Sequence, residues 1–134
     1  MKLEHIALNV DAPLAMSKWY CDHLGMQIIK QDSNAPYTTF MADSSERVMV
    51  EIYQNPTDQI LNYAEMNPLL LHLAFVSEDP GGDKQRLLQA GASEEKDEQL
   101  PDGSRVIMLR DPWGVPIQLC KRAVSMLAEK ERVN

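Results

Sequence analysis

Two stretches of this chain repeat each other at a fixed distance, and that repeat limits the architectures open to it. Leu3–Val10 (LEHIALNV) lies over Leu70–Ser77 (LLHLAFVS) with His5 aligned to His72. Val48–Tyr53 lies over Val115–Cys120 with Glu51 aligned to Gln118, and both pairs are 67 residues apart. One offset shared by two separated places is stronger than either match alone. A period of this length means one supersecondary unit used twice.

The unit can be read from its punctuation. Each opening segment runs into an acidic residue and a proline, Asp11-Ala12-Pro13 and Glu78-Asp79-Pro80. A helical stretch ending at glycine follows: Leu14–Leu24 before Gly25, and Gly82–Ala90 before Gly91. Proline at the start and glycine past the end are helix boundaries. Strand-like runs come next, at Met26–Lys30, Pro36–Ala42 and Val48–Tyr53, and again at Ser93–Glu98, Ser104–Arg110 and Val115–Lys121. Pro101-Asp102-Gly103 and Asp111-Pro112-Trp113-Gly114 supply turns. Ser93–Glu98 carries the weakest strand signal, because it is entirely polar. A length of 134 residues fits a single domain. Its parts are module one, 1–54; a linker, 55–69; module two, 70–122; and a C-terminal helix, 123–134, with Met126 and Leu127 on its apolar side.

Alternation along the strands assigns faces. Ile6, Leu8 and Val10 share one face of the first strand, and Val48, Val50 and Ile52 one face of the fourth. Leu73 with Phe75, and Val115 with Ile117 and Leu119, do the same in module two. These apolar faces are fit to pack under helices. The opposite faces carry His5, Glu51, His72 and Gln118, one per strand. Imidazole and carboxylate are ligands of first-row divalent ions, and an amide oxygen is a weaker one. Two histidines with one carboxylate match the set of facial-triad Fe(II) sites and of some catalytic Zn sites. With Gln118 as a fourth ligand, an octahedral ion keeps two positions for water or substrate and acts as a Lewis acid. Singly, a strand histidine is more often a hydrogen-bonded core residue and a strand glutamate solvent-facing. The shared offset selects these four together.

The other reactive types read as structural. His23 at the end of the first helix suits the helix dipole as a surface or capping residue. Cys120 has no neighbour that would activate it. Trp19 and Tyr20 read as core and interface aromatics, the run Glu94–Glu98 as a solvated edge, and Ser17 lacks any nucleophile-elbow context. Cys21 and Cys120 are too few for a disulfide framework. A net charge of −7 argues against nucleic acid and anionic membranes as partners. No apolar run reaches membrane-span length, and Glu4, His5 and Asn9 interrupt any signal-peptide core. A cytoplasmic protein is expected.

LEHIALNV with WYCDHLGM, and LLHLAFVS with LPDGSRVIMLRDPWGVPIQL, resemble the vicinal oxygen chelate superfamily of glyoxalase I, bleomycin-resistance proteins and extradiol dioxygenases, over about residues 1–122. The resemblance implies an α+β fold in which two paired βαβββ modules form a cupped, incomplete barrel around a metal. It implies a homodimer, and it carries the metal-ligand positions onto His5, Glu51, His72 and Gln118. Many metal-binding members have glutamate where this chain has Gln118, and an amide cannot serve as a general base. That departure counts against a strict glyoxalase I and leaves Glu51 as the one obvious carboxylate base.

The expected function is a glyoxalase-like, metal-dependent enzyme: a lyase or isomerase acting on a small carbonyl or vicinal-oxygen substrate through a metal-stabilised enolate. The ion would be Ni, Zn, Fe, Mn or Co. An Fe(II) or Mn(II) dioxygenase is a variant of the same site. The alternative is a metal-free protein of bleomycin-resistance type that binds a small molecule or antibiotic. A third reading is a structural or regulatory module with a degenerate site.

Overall fold

A computed structural model of the chain describes residues 1–55 and 59–127. It contains two compact units, with the boundary between Asn62 and Tyr63. The first holds β1 (His5–Asn9), α1 (Pro13–Leu24), β2 (Gln27–Gln31), β3 (Thr39–Ala42) and β4 (Met49–Tyr53). The second holds β5 (Leu73–Val76), α2 (Pro80–Gln89), β6 (Ser93–Gln99), β7 (Arg105–Arg110) and β8 (Pro116–Lys121), preceded by a 3-10 turn at Tyr63–Glu65. Each unit is a βαβββ module with one open, four-stranded mixed sheet, ordered β1-β4-β3-β2 and β5-β8-β7-β6. The fold is α+β, and among the described residues no helix is long and apolar enough to cross a membrane.

The repeat holds at the level of single residue pairs. Ala7 pairs with Glu51 in the parallel β1/β4 ladder, and Ala74 pairs with Gln118 in β5/β8. The register of β2/β3 breaks between Ile28 and Lys30, and that of β6/β7 at the matching place, between Glu94 and Lys96. Both helices start on proline. Gly25 ends α1 in the left-handed region at φ 67°, and Asp79 caps α2 by accepting from the Gly82 N–H at 3.2 Å. That cap lets α2 begin two residues before the expected start, inside Pro80-Gly81-Gly82.

One face of each sheet packs beneath its helix. In unit one Leu8, Thr39, Met41 and Ile52 are buried, with Met16, Ser17 and Tyr20 of α1. Gln31 donates to the hydroxyls of Ser17 and Thr39. In unit two Ile107, Leu109, Ile117 and Leu119 are buried with Leu87 of α2. Lys84 of α2 reaches Asp97 and Glu94 there. Trp19 and Tyr20 are core residues as expected.

Four expectations change. His72 lies one residue before β5. Ile6 is 46% exposed, so the apolar face is incomplete at the outer strand β1. The acidic run is the largely exposed edge strand expected, but its carboxylates are ion-paired, with Lys84, Lys96, Arg105 and Arg110. Residues 123–127 run in bends rather than a helix, and the rest of that expected helix lies outside the described residues.

Candidate metal and ligand site

Two of the four expected site residues meet in unit one. Glu51 sits in β4, held between β1 and β3, and His5 opens β1. Both point to the face away from α1. His5 Nε2 stands 3.1 Å from Glu51 Oε2, and His5 Nδ1 stands 3.0 Å from Glu4 Oε1. The Phe40 ring meets the imidazole edge-on at 5.5 Å. Phe40 pairs with Glu51 across β3/β4, so the ring closes one side of the pair. Neighbouring ligands on an octahedral ion with bonds of about 2.1 Å are about 3 Å apart. The His5 and Glu51 atoms are therefore spaced as adjacent ligands, with Nδ1 held by a carboxylate as is usual behind a ligating histidine.

In unit two His72 and Gln118 have separate partners. His72 Nδ1 lies 2.9 Å from the Pro68 carbonyl. A carbonyl only accepts, so Nδ1 carries the hydrogen of this contact and Nε2 is the nitrogen left to ligate an ion. Gln118 lies at the centre of β8, on the face away from α2, and its Oε1 accepts from the Cys120 thiol at 3.1 Å. Burial pushes the Cys120 thiol up, which fits an inert side chain rather than a nucleophile. Above Gln118 is a cavity of about 270 Å³. Val106, Met108 and Gln118 form its floor, Asn67, Pro68 and Leu69 one wall, and Glu95, Lys96 and Glu98 of the edge strand the other.

This arrangement offers an adjacent nitrogen and oxygen ligand in unit one, and an amide beneath a largely apolar cavity in unit two. Among the described residues no group of three or more His, Cys, Asp or Glu side chains is placed to hold one ion. Sequence reasoning missed Phe40 and Arg110. The first follows from cross-strand register, which alternation alone does not provide. The second stands inside the turn-and-strand motif LPDGSRVIMLRDPWG with nothing local to mark it.

A family model described as the Glyoxalase/Bleomycin resistance protein/Dioxygenase superfamily matches residues 2–119. Three solved structures illustrate the likeness. A glyoxalase-related enzyme from Fulvimarina pelagi is 14% identical, with a TM-score of 0.73 over 96% of this chain and 94% of that one. TnmS3, an antibiotic binding protein from Streptomyces sp. CB03234, is 19% identical, with a TM-score of 0.66 over 89% and 93%. A possible glyoxalase from Bacillus cereus is 18% identical, with a TM-score of 0.67 over 90% and 99%. At these identities the likeness is one of fold. No curated protein sequence matches the chain.

Proposed function

Because the chain belongs to the Glyoxalase/Bleomycin resistance protein/Dioxygenase superfamily, we propose that it is a metal-dependent enzyme acting on a small carbonyl or vicinal-oxygen compound. His5, Glu51, His72 and Gln118 are the protein ligands of one divalent ion (Ni, Zn, Fe, Mn or Co), and Glu51 is the base. The observation that carries this reading is the 3.1 Å ion-pair contact of His5 Nε2 with Glu51 Oε2, which puts the two atoms at a spacing that also suits adjacent ligands. His72 supports it, since its bond to Pro68 leaves Nε2 as the ligating nitrogen.

When bound, the ion supplies Lewis acidity to a substrate oxygen. The chain supplies the rest. Glu51 takes the proton from the carbon beside the carbonyl and returns it to the neighbouring position. Phe40 excludes water from one side of His5 and Glu51. Gln118 orients without titrating, so a single carboxylate both removes and returns the proton. The reading places a homodimer in the cytosol, where Cys21 and Cys120 stay thiols.

A second reading, a metal-free binder of small molecules, draws on the neutral Gln118 beneath an apolar-floored cavity. Elemental analysis of protein purified without added metal, then reconstitution with each ion, separates the two. Stoichiometric metal that falls sharply in His72→Ala, measured by titration calorimetry, is the expected result. No uptake of any of the five ions, or unchanged affinity in the variant, rejects the metal site.

A further inference from the structure

We propose that Arg110 is a positioning residue that sets the ring of His72 and one wall of the cavity by clamping the segment 63–70 to the sheet of unit two. The inference rests on His72 being a metal ligand, as proposed above.

Arg110 ends β7 on the cavity face of its sheet and is only 9% exposed. A guanidinium buried to this degree needs its donors satisfied. Its Nη1 donates to the Tyr63 carbonyl at 2.6 Å and to the Gly114 carbonyl at 3.2 Å, and its Nη2 donates to the Met66 carbonyl at 2.8 Å. Its Nε pairs with the carboxylate of Glu95. Glu95 is the extra residue at the register break of β6, where the bulge aims its side chain along the sheet face. The fork thus grips the Tyr63 and Met66 carbonyls, at the two ends of the turn that starts the segment. Five donors in fixed directions can do this, whereas the three donors on a flexible lysine stem cannot hold the same carbonyls.

Gly114, at φ 88°, packs against the same turn, and a Cβ there would meet the Ala64 backbone at 2.7 Å. Beyond the turn, Asn67 closes a tight bend by accepting from Leu69 and Leu70. That bend presents the Pro68 carbonyl to His72 Nδ1 and stands Asn67, Pro68 and Leu69 along the cavity. The chain of contacts runs from Glu95 through Arg110 to the turn, and through the bend to the imidazole. Its consequence is chemical, because the Pro68 carbonyl fixes which nitrogen of His72 is free.

The test compares Arg110→Met, Arg110→Lys and Glu95→Gln in the full chain, each verified as folded by circular dichroism. In the metal-free protein, nitrogen NMR of His72 should report hydrogen on Nδ1 in the wild type and a mixture of tautomers in Arg110→Met. Arg110→Lys should fail to restore the wild-type spectrum, and the gentler Glu95→Gln should move it part of the way. Competition with a chelator should show Ni(II) affinity falling about 10–100-fold in Arg110→Met, and falling no further when Arg110→Met is added to His72→Ala. An unchanged His72 tautomer in Arg110→Met overturns the proposal, as does an equal loss of affinity in both backgrounds. A wild type that binds no Ni(II) but shows the tautomer change rejects the metal reading and keeps the clamp.

Discussion

At the scale of single residues, Gln118 carries most of the chemical consequence. In the proposed site Glu51 is the sole charged ligand, so the protein would offer one negative charge to a 2+ ion. Gln118→Glu should tighten Ni(II) binding by about tenfold or more, since a full charge at ligand distance outweighs an amide dipole even after screening. Part of that gain is lost because two nearby carboxylates repel and one holds its proton more strongly. The variant also gains a second base, so turnover of methylglyoxal with glutathione should appear or rise. Chelator competition and that assay are run on both proteins, and equal or weaker affinity means position 118 does not face the ion. The pairing of His5 with Glu51 was legible in the sequence because alternation fixes the face and the repeat fixes the positions. The Pro68 partner of His72 was not, because it depends on how a loop of no regular period folds back onto its own unit.

At the scale of elements, the polar strand β6 shows where patterning stops being informative. Its seven residues have no apolar alternation to read, yet the strand pairs with β7 on both sides of the break at Glu95. It is the outer strand, where charge protects an open edge from pairing with another chain. Its side toward α2 is held by ions instead of methylenes. Asp97 accepts from Arg105 and from Lys84, which together hold its carboxyl at about 2. A carboxyl lowered in the folded state stabilises fully above its unfolded value of about 4 and loses that contribution as the pH falls toward 2. Asp97→Asn should therefore cost stability at neutral pH and show a flatter loss between those two pH values, read by urea unfolding across an acid series. The turn before β8 is an equally sharp case. Gly114→Ala places a methyl against the Ala64 backbone at a positive φ, so unfolding free energy should fall by about 2 kcal/mol or more. A loss below about 0.5 kcal/mol in chemical denaturation would mean that the Tyr63–Glu65 turn yields easily.

At the scale of the whole molecule, the ligands proposed for one ion are divided between two compact units that meet in sequence at Asn62 and Tyr63. His5 and Glu51 belong to the first, His72 and Gln118 to the second. A duplicated module explains why the division is even: the same sequence positions recur 67 residues on, and the ladders of β1/β4 and β5/β8 keep that register at Ala7–Glu51 and Ala74–Gln118. On the proposed reading each half-set alone is short of the ligands a first-row ion needs, so both would be required. His5→Ala and His72→Ala should then each abolish most of the Ni(II) affinity although they alter different units. Retention of wild-type affinity by either one would confine the site to a single unit. Mixing the two variants after reversible unfolding then reports who shares with whom. In a homodimer whose sites join unit one of one chain to unit two of the other, half of the randomly formed dimers are mixed, and each mixed dimer keeps one intact set. About a quarter of the sites should recover. If each chain closes its own site, every site in the mixture retains one lesion and recovery is nil, with sedimentation confirming that mixed dimers formed.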